Sequence, residues 1–402
     1  MRVSRFSWLL GLCAASAAIA GPASVHPPAK LNVEIGYLGR DYPNPLPISL
    51  LEPVVTDQGL QGARVGISDN LATGRFLGQS YHLDEKITAR DGDIIADAKQ
   101  LLEKTQLVVA DLTPEDLLRV ADLPEAKNAI IINARASNDE LRGKDCRRNV
   151  FHVAPSWSMR ADALAQYLAW KRWKSWFLLR GNAKEDIEYA EAMKRAAKKF
   201  GGKIVEERTI IFDPGNRNSE TGHQQIQTQI PMRTQNPPPH DIVVVADTQD
   251  TFGEYLMWRT SLPKPIAGTQ GLVSVAWGPL YEEYGGIQLQ KRFRAKIKRP
   301  MTERDYMAWL AVRVFGEAVT RSGKADIAGW RTYILSPQFG VAGFKGQAMS
   351  FRPWDRQLRQ PILLTGPRSL VSTSPQEGFL HPKYLTDTLG VDAPETTCKL
   401  PG

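Results

Sequence analysis

Cysteine is nearly absent from this chain, with three in 402 residues. No C-x-x-C pair occurs, which excludes a dithiol redox centre and a cysteine-built zinc site. Beyond residue 20 no stretch reaches the ~18–20 apolar residues that a membrane span needs. The G-x-G-x-x-G, Walker A, H-E-x-x-H and G-x-S-x-G motifs are all missing. Dinucleotide binding by a Rossmann turn, ATP hydrolysis, zincin chemistry and a serine-hydrolase elbow therefore have no support. The six histidines stand apart, at positions 26, 82, 152, 223, 240 and 381, and none has a metal-type partner at helical spacing. There is no fixed-period repeat, and the ten tryptophans lack the regular spacing of propeller blades. No catalytic centre, metal site or cofactor is expected.

What is present begins with an export signal. Arg2 and Arg5 precede an apolar, small-residue stretch from Phe6 to Ala20, and Ala18-Ile19-Ala20 forms an A-x-A cleavage site. Residues 1–20 read as a signal peptide, the alternative being a buried N-terminal helix. Leu12 stands where a lipoprotein anchor at Cys13 would need a small residue. Cleavage lowers the formal charge from +8 to about +6, with the basic residues spread out. They read as solvated faces rather than a nucleic-acid footprint. The densest basic stretch, Lys291 to Arg299, is suited to attracting an anion or a protein surface. The mature chain keeps Cys146 and Cys398. An oxidising compartment favours one disulfide between them; two separate buried thiols are the alternative.

Strand and helix alternate along the chain. Leu31 to Gly39, Leu107 to Ala110 and Ala129 to Ile132 have strand character, separated by helical patterns over 57–79, 93–103 and 114–121. Gly59, Gly62 and Gly66 point to close packing of the first helix on a sheet. After an interruption at Phe151 to Ser158 the alternation restarts. Helices are expected over 161–170 and 185–200, strands over 176–179, 203–212 and 241–246, and a helix from Phe252 to Arg259. Trp170, Trp173 and Trp176 are expected to pack between helix and strand. Residues 213–240 read as a surface loop or broken helix. A strongly apolar helix covers 305–321, and short strands and turns follow from Ser336. The strands are continuous apolar runs, the pattern of parallel sheets covered on both faces.

This order of parts resembles the type I periplasmic binding proteins, the branched-chain amino-acid receptor group of ABC transporters. Several stretches resemble one subgroup more closely. These are GLQGARVGISDNLATGRFLGQSYHL (59–83), CRRNVFHVAPSWSMRADALAQYL (146–168), Met301 to Trp309, FKGQAMSFRPWDRQLRQPI (344–362) and LGVDAPETTC. The subgroup is the substrate-binding protein associated with PQQ-dependent alcohol dehydrogenase systems. The resemblance implies a two-lobed α/β fold, each lobe a mostly parallel sheet flanked by helices. It implies crossovers near Ala154-Pro155, Ala267-Gly268 and Phe351-Arg352. Lobe one is then 31–154 plus 269–352, lobe two 155–268 plus 353–375, and 376–402 a tail that wraps back. It further implies a periplasmic monomer that binds a small molecule and works with an ABC permease or with proteins of the alcohol dehydrogenase system.

Ligands of open α/β sheets bind beyond the carboxyl ends of the strands, where loops present N–H groups and helix N-termini. In lobe one these loops carry Asp111, Thr113, Arg135 and Ser137. Receptors of this fold usually hold the ligand carboxylate with small hydroxyl residues in both loops. Thr113 and Ser137 keep that pattern, and Asp111 and Arg135 depart from it. Arg135 is suited to gripping a carboxylate bidentately, the alternative being a surface ion pair. In lobe two the resemblance implies that Asp186 or Asp247 binds a ligand ammonium, although Asp247 could equally cap the next helix. Thr269 and Gln270 are further candidates. Trp277 offers an aromatic wall or core packing. Asp111, Asp247 and Asp250 lack the spacing of a cation loop. Two functions remain: a solute receptor, or an accessory or sensory protein with a degenerate cleft.

Overall fold

Apolar runs without polar alternation build two sheets in the computed structural model, which describes residues 31–43, 54–211 and 226–400. The expected signal peptide lies outside these residues, as does part of the polar stretch 213–240. The first sheet contains β1 (Leu31–Arg40), β2 (Gln79–Thr88), β3 (Leu107–Asp111), β4 (Ile130–Asn133) and β5 (Val150–His152). Its order is β2-β1-β3-β4-β5 and every pairing is parallel. The second sheet contains β6 (Ser175–Arg180), β7 (Lys203–Thr209), β8 (Ile242–Ala246), β9 (Ile266–Gly268) and β10 (Leu272–Val275). Two returning strands, β13 (Ile362–Gly366) and β14 (Ser369–Ser374), complete it. Its order is β14-β13-β10-β9-β8-β6-β7, parallel from β10 to β7 and antiparallel at β13 and β14. A small hairpin joins β11 (Val341–Ala342) to β12 (Ala348–Met349).

Parallel strands need crossover helices, and these cover both faces of both sheets. On the first sheet, α1 (Leu60–Leu77) and α9 (Glu303–Arg321) share one apolar core with the smaller α8 (Gly286–Ile297) and α10 (Ile327–Ile334). The opposite face is covered by α2 (Ile94–Leu102) and α3 (Pro114–Ala121). On the second sheet, α4 (Trp157–Trp170) and α5 (Lys184–Phe200) cover one face. The other face carries α6 (Ile226–Arg233) and α7 (Gly253–Arg259). Two lobes result, each a mostly parallel sheet between helices.

Details differ from the sequence reading at two crossings, at the α1 glycines and at Trp170; the third crossing comes after Leu358 and not near Phe351-Arg352, because Gln357 still bridges His152 of β5. The chain was expected to leave the second lobe near Ala267-Gly268, yet β9 and β10 both belong to the second sheet, so it leaves only after Val275. The glycines of α1 do pack closely, but against α9 rather than a sheet. A Cβ on Gly62 would lie 1.8 Å from the Asp305 carbonyl oxygen, and one on Gly66 2.8 Å from Val312 Cβ. Trp170 is 58% exposed, whereas Trp176 is buried and donates its Nε1 hydrogen to the Trp173 carbonyl at 2.7 Å. Trp277 is core, stacked on Tyr306 with ring centroids 4.5 Å apart. A disulfide joins Cys146 to Cys398.

Candidate functional site

The carboxyl ends of both sheets face one cleft of about 1020 Å³. The register explains the convergence. Strands β1, β3 and β4 run parallel, so the residues after each strand emerge at one edge. Strands β6, β8 and β9 do the same in the second sheet. Six of the eight sequence candidates line the cleft: Thr113, Arg135, Ser137, Asp247, Thr269 and Gln270. Asp111 and Asp186 do not; both are buried behind it.

The first lobe presents cations. Arg135 Nη1 lies 3.4 Å from Asp111 Oδ1, and Arg304 Nε lies 3.8 Å from the same oxygen. Asp111 also accepts the Tyr37 hydroxyl at 2.7 Å. Burial, reinforced by the Asp111 charge, pushes the Tyr37 phenol well above its ordinary range, so it remains a proton donor. Among the described residues these two guanidiniums share the one carboxylate of Asp111, which leaves this part of the first-lobe wall with one positive charge in excess. The side chains of Arg135 and Arg304 are 21% and 29% exposed, enough to reach a solute. Burial and then the neighbouring Arg304 charge lower the Arg135 pKa, as expected for a cation short of anions. Its guanidinium lies over the Tyr42 ring at 4.4 Å, a cation–π contact that fixes its plane. The Tyr42 hydroxyl donates to Asp116 at 2.7 Å and accepts from the Thr113 backbone N–H at 3.1 Å. Ser137 lines the wall beside them, its carbonyl accepting the Trp157 N–H at 2.8 Å.

The second lobe uses its strand-end polar groups internally. Asp247 accepts four hydrogen bonds, from Thr251 N at 2.9 Å, Thr251 Oγ1 at 2.8 Å, Phe252 N at 2.7 Å and Gly253 N at 2.6 Å. This caps α7, the second of the two roles its sequence position allowed. Asp186 accepts from Thr248 N at 2.6 Å, Thr248 Oγ1 at 2.7 Å and Ala183 N at 3.1 Å. Both carboxylates brace loops: Asp247 at the edge of the cleft, Asp186 behind it. Thr269 Oγ1 accepts the Asp247 N–H at 2.9 Å and donates to Gln270 Oε1 at 2.5 Å. Gln270 Nε2 donates to the Asp247 carbonyl at 3.0 Å.

The wall nearest the crossings carries residues the sequence reading missed. Trp157 packs on Tyr189 with centroids 5.4 Å apart. Arg160 Nη1 donates to the Ser274 carbonyl at 2.8 Å and lies 3.0 Å from Glu303 Oε1, which also accepts the Ala276 N–H. Since Arg160 is on α4 and Glu303 on α9, this pair spans the lobes. At the mouth, Lys184 meets Glu115 at 2.9 Å and Asn138 Nδ2 donates to Glu188 at 2.6 Å, again lobe to lobe. A signal for Arg160 and Arg304 existed. Both sit in the first turn of a helix, where the macrodipole disfavours a cation, so each needs a reason beyond helix stability. No group of metal-ligating side chains occurs among the described residues.

Two mostly parallel sheets joined by three chain crossings, with a cleft at the carboxyl ends of their parallel strands, make this the fold of the type I periplasmic binding proteins. Residues 55–231 match the family model described as periplasmic binding protein. Solved structures of the same fold include a branched-chain amino acid ABC transporter periplasmic ligand-binding protein from Burkholderia xenovorans LB400. It has a TM-score of 0.69 and 15% identity over 91% of this chain and 99% of that one. A leucine-, isoleucine-, valine-, threonine- and alanine-binding protein from Brucella ovis, in a closed conformation, gives 0.67 and 14% over 93% and 99%. An ABC transporter solute binding protein from Rhodopseudomonas palustris BisB5, in complex with 3,4-dihydroxybenzoic acid, gives 0.60 and 12% over 85% and 97%. Among curated proteins no match was found.

Proposed function

We propose that this chain is the periplasmic receptor of an ABC-type transport system. It binds a small solute bearing a carboxylate or similar oxyanion between lobes formed by residues 31–154 with 276–360 and 155–275 with 361–375. The carrying observation is the pair Arg135 and Arg304 over the single carboxylate Asp111. One unmatched positive charge in a recessed wall selects one negative charge on the solute. Thr113 and Ser137 add hydroxyls beside it. The solutes named for the Brucella and Rhodopseudomonas proteins share a carboxylate, in agreement with this reading. Asp111 serves as positioning residue for the two arginines. Asp186, Asp247, Thr269 and Gln270 serve to hold the second lobe's loops in shape. The resemblance of the motif stretches to that subgroup supports a link to PQQ-dependent alcohol oxidation, which makes alcohol-derived acids the first solutes to try.

A thermal-shift screen of carboxylic acids, amino acids, alcohols, PQQ and inorganic anions tests the proposal. The expected result is saturable stabilisation by carboxylates that weakens when Arg135→Gln or Arg304→Gln removes a charge-assisted hydrogen bond. The loss is roughly 1.5–3 kcal/mol, roughly tenfold to a hundredfold in Kd. A flat response across the library refutes the receptor. It would favour the second reading, an accessory or sensory protein, which the internally satisfied polar groups of the second lobe also favour.

A further inference from the structure

The cleft leaves two distinctive stretches of sequence unexplained, FRPWDRQLRQPI and the ending LGVDAPETTC. In space they form one device. Arg352, 1% exposed, donates to Asp387 at 3.0 Å and to the Leu389 carbonyl at 2.7 Å. Arg359 donates to the same Asp387 at 2.8 Å and lies over the Tyr384 ring at 3.8 Å. These arginines lie just before the third crossing, on a segment where Gln357 still bridges His152 of β5. The tail they grip is also fixed to the second lobe. Asp162 of α4, fully buried, accepts the Gly390 N–H at 2.9 Å. Lys199 of α5 donates to Asp162 at 3.0 Å and to the carbonyls of Thr388 at 3.0 Å and Gly390 at 3.1 Å. Leu389 is packed in the core between α4, α5 and the second sheet.

Beyond Val391 the chain changes lobes. Cys398 is bonded to Cys146, which precedes β5 in the first lobe. The three crossings are thus joined by a fourth connection, anchored by buried ion pairs at one end and by a disulfide at the other. We propose that the C-terminal tail is a strap that limits how far the two lobes separate. The span from Val391 to Cys398 reaches about 24 Å when fully extended. At rest it is shortened by a 3-10 turn at Ala393–Glu395, capped by Asp392 and Glu395. That slack allows a first stage of opening, after which the strap is taut. This inference rests on the two-lobed receptor reading above, adds that the lobes hinge at the chain crossings, and concerns the amplitude of that motion, not the solute.

The test uses X-ray scattering and hydrogen exchange on the full mature chain. The variants are Cys146→Ser with Cys398→Ser, an insertion of six glycines between Thr396 and Thr397 with the disulfide kept, and Lys184→Glu, which puts like charges across the cleft mouth. A compact chain of this length has a radius of gyration of about 21 Å. The serine pair and the lengthened strap are each expected to raise it by about 1 Å and to speed exchange in the cleft loops. The insertion separates a strap from a plain staple, because it keeps the covalent link and removes only the limit on length. If Lys184→Glu opens the protein while the insertion leaves scattering and exchange at wild-type values, the strap is refuted and the hinge stands. If no variant changes either measurement, the hinged reading fails and the strap with it.

Discussion

Lys345 offers a measurable pH dependence. It is buried at the meeting point of two crossings, donating its Nζ hydrogens to the carbonyls of Ala276 and of Pro361, the latter at 3.1 Å. The Tyr306 and Tyr281 rings lie 5.5 and 6.0 Å from the ammonium. Burial lowers its pKa from 10.5 to about 7; Glu303 raises it slightly and Arg160 opposes that. The native pKa is below the unfolded one, so between about pH 7 and 10.5 the unfolded chain binds more protons. Stability must therefore rise with pH across that window, by about 1.4 kcal/mol per unit where the lysine is neutral only in the native state. From pH 7 to 9.5 the gain sums to about 3 kcal/mol. Burial raises the phenols of Tyr281 and Tyr306, which stay protonated throughout. The assay is urea unfolding of wild type and Lys345→Met at both pH values, because subtraction removes every titration the two share. The wild-type advantage over the variant should grow by about 3 kcal/mol as pH rises. An unchanged difference would show that Lys345 keeps an ordinary pKa, and that the crossings tolerate a charge without desolvation.

Two substitutions test the reading of the framework. Asp247→Ala should leave the two buried N–H donors of Phe252 and Gly253 unpaired and cost roughly 2–5 kcal/mol in unfolding free energy, read by urea titration. Solute affinity should fall far less than in Arg135→Gln if Asp247 only braces its loop. Gly62→Ala drives a methyl into the Asp305 carbonyl and should cost at least about 3 kcal/mol by thermal or urea unfolding, since two helix backbones must part.

The parts of the fold legible in the sequence were those with an unmixed pattern. Strands β3, β4 and β8 are buried along their whole length and read as solid apolar runs. Strand β2 was missed because it is an edge strand of QSYHLDEKIT, with only Tyr81 and Thr88 buried. Helix α8 was read as a basic patch because only Gly286, Leu289 and Phe293 face the core, too few to show against its lysines and arginines. The second crossing was misplaced because β9 and β10 are too short to carry a period. At the site, strand-end position found the correct loops, but could not say which polar groups the loops consume. For Asp247 the sequence left ligand binding and capping open, because the N–H groups that bind it lie in a following turn whose shape no pattern records; Asp186 looked free because its main donor, Thr248, is 62 residues away and meets it only in the folded sheet. Arg304 escaped notice because its neighbour across the cleft wall, Asp111, is distant in sequence and meets it only once α9 has packed over β3.

The cap around Asp247 also bears on how a solute is accepted. A loop whose polar atoms are already mutually bonded has little disorder to lose when a guest arrives, so the covering half adds contact without an ordering penalty. The same stiffness denies it the means to adapt. A guest that fits the arginine wall but has the wrong outline meets a surface that cannot rearrange, and discrimination then comes from refusal of shape as much as from attraction of charge.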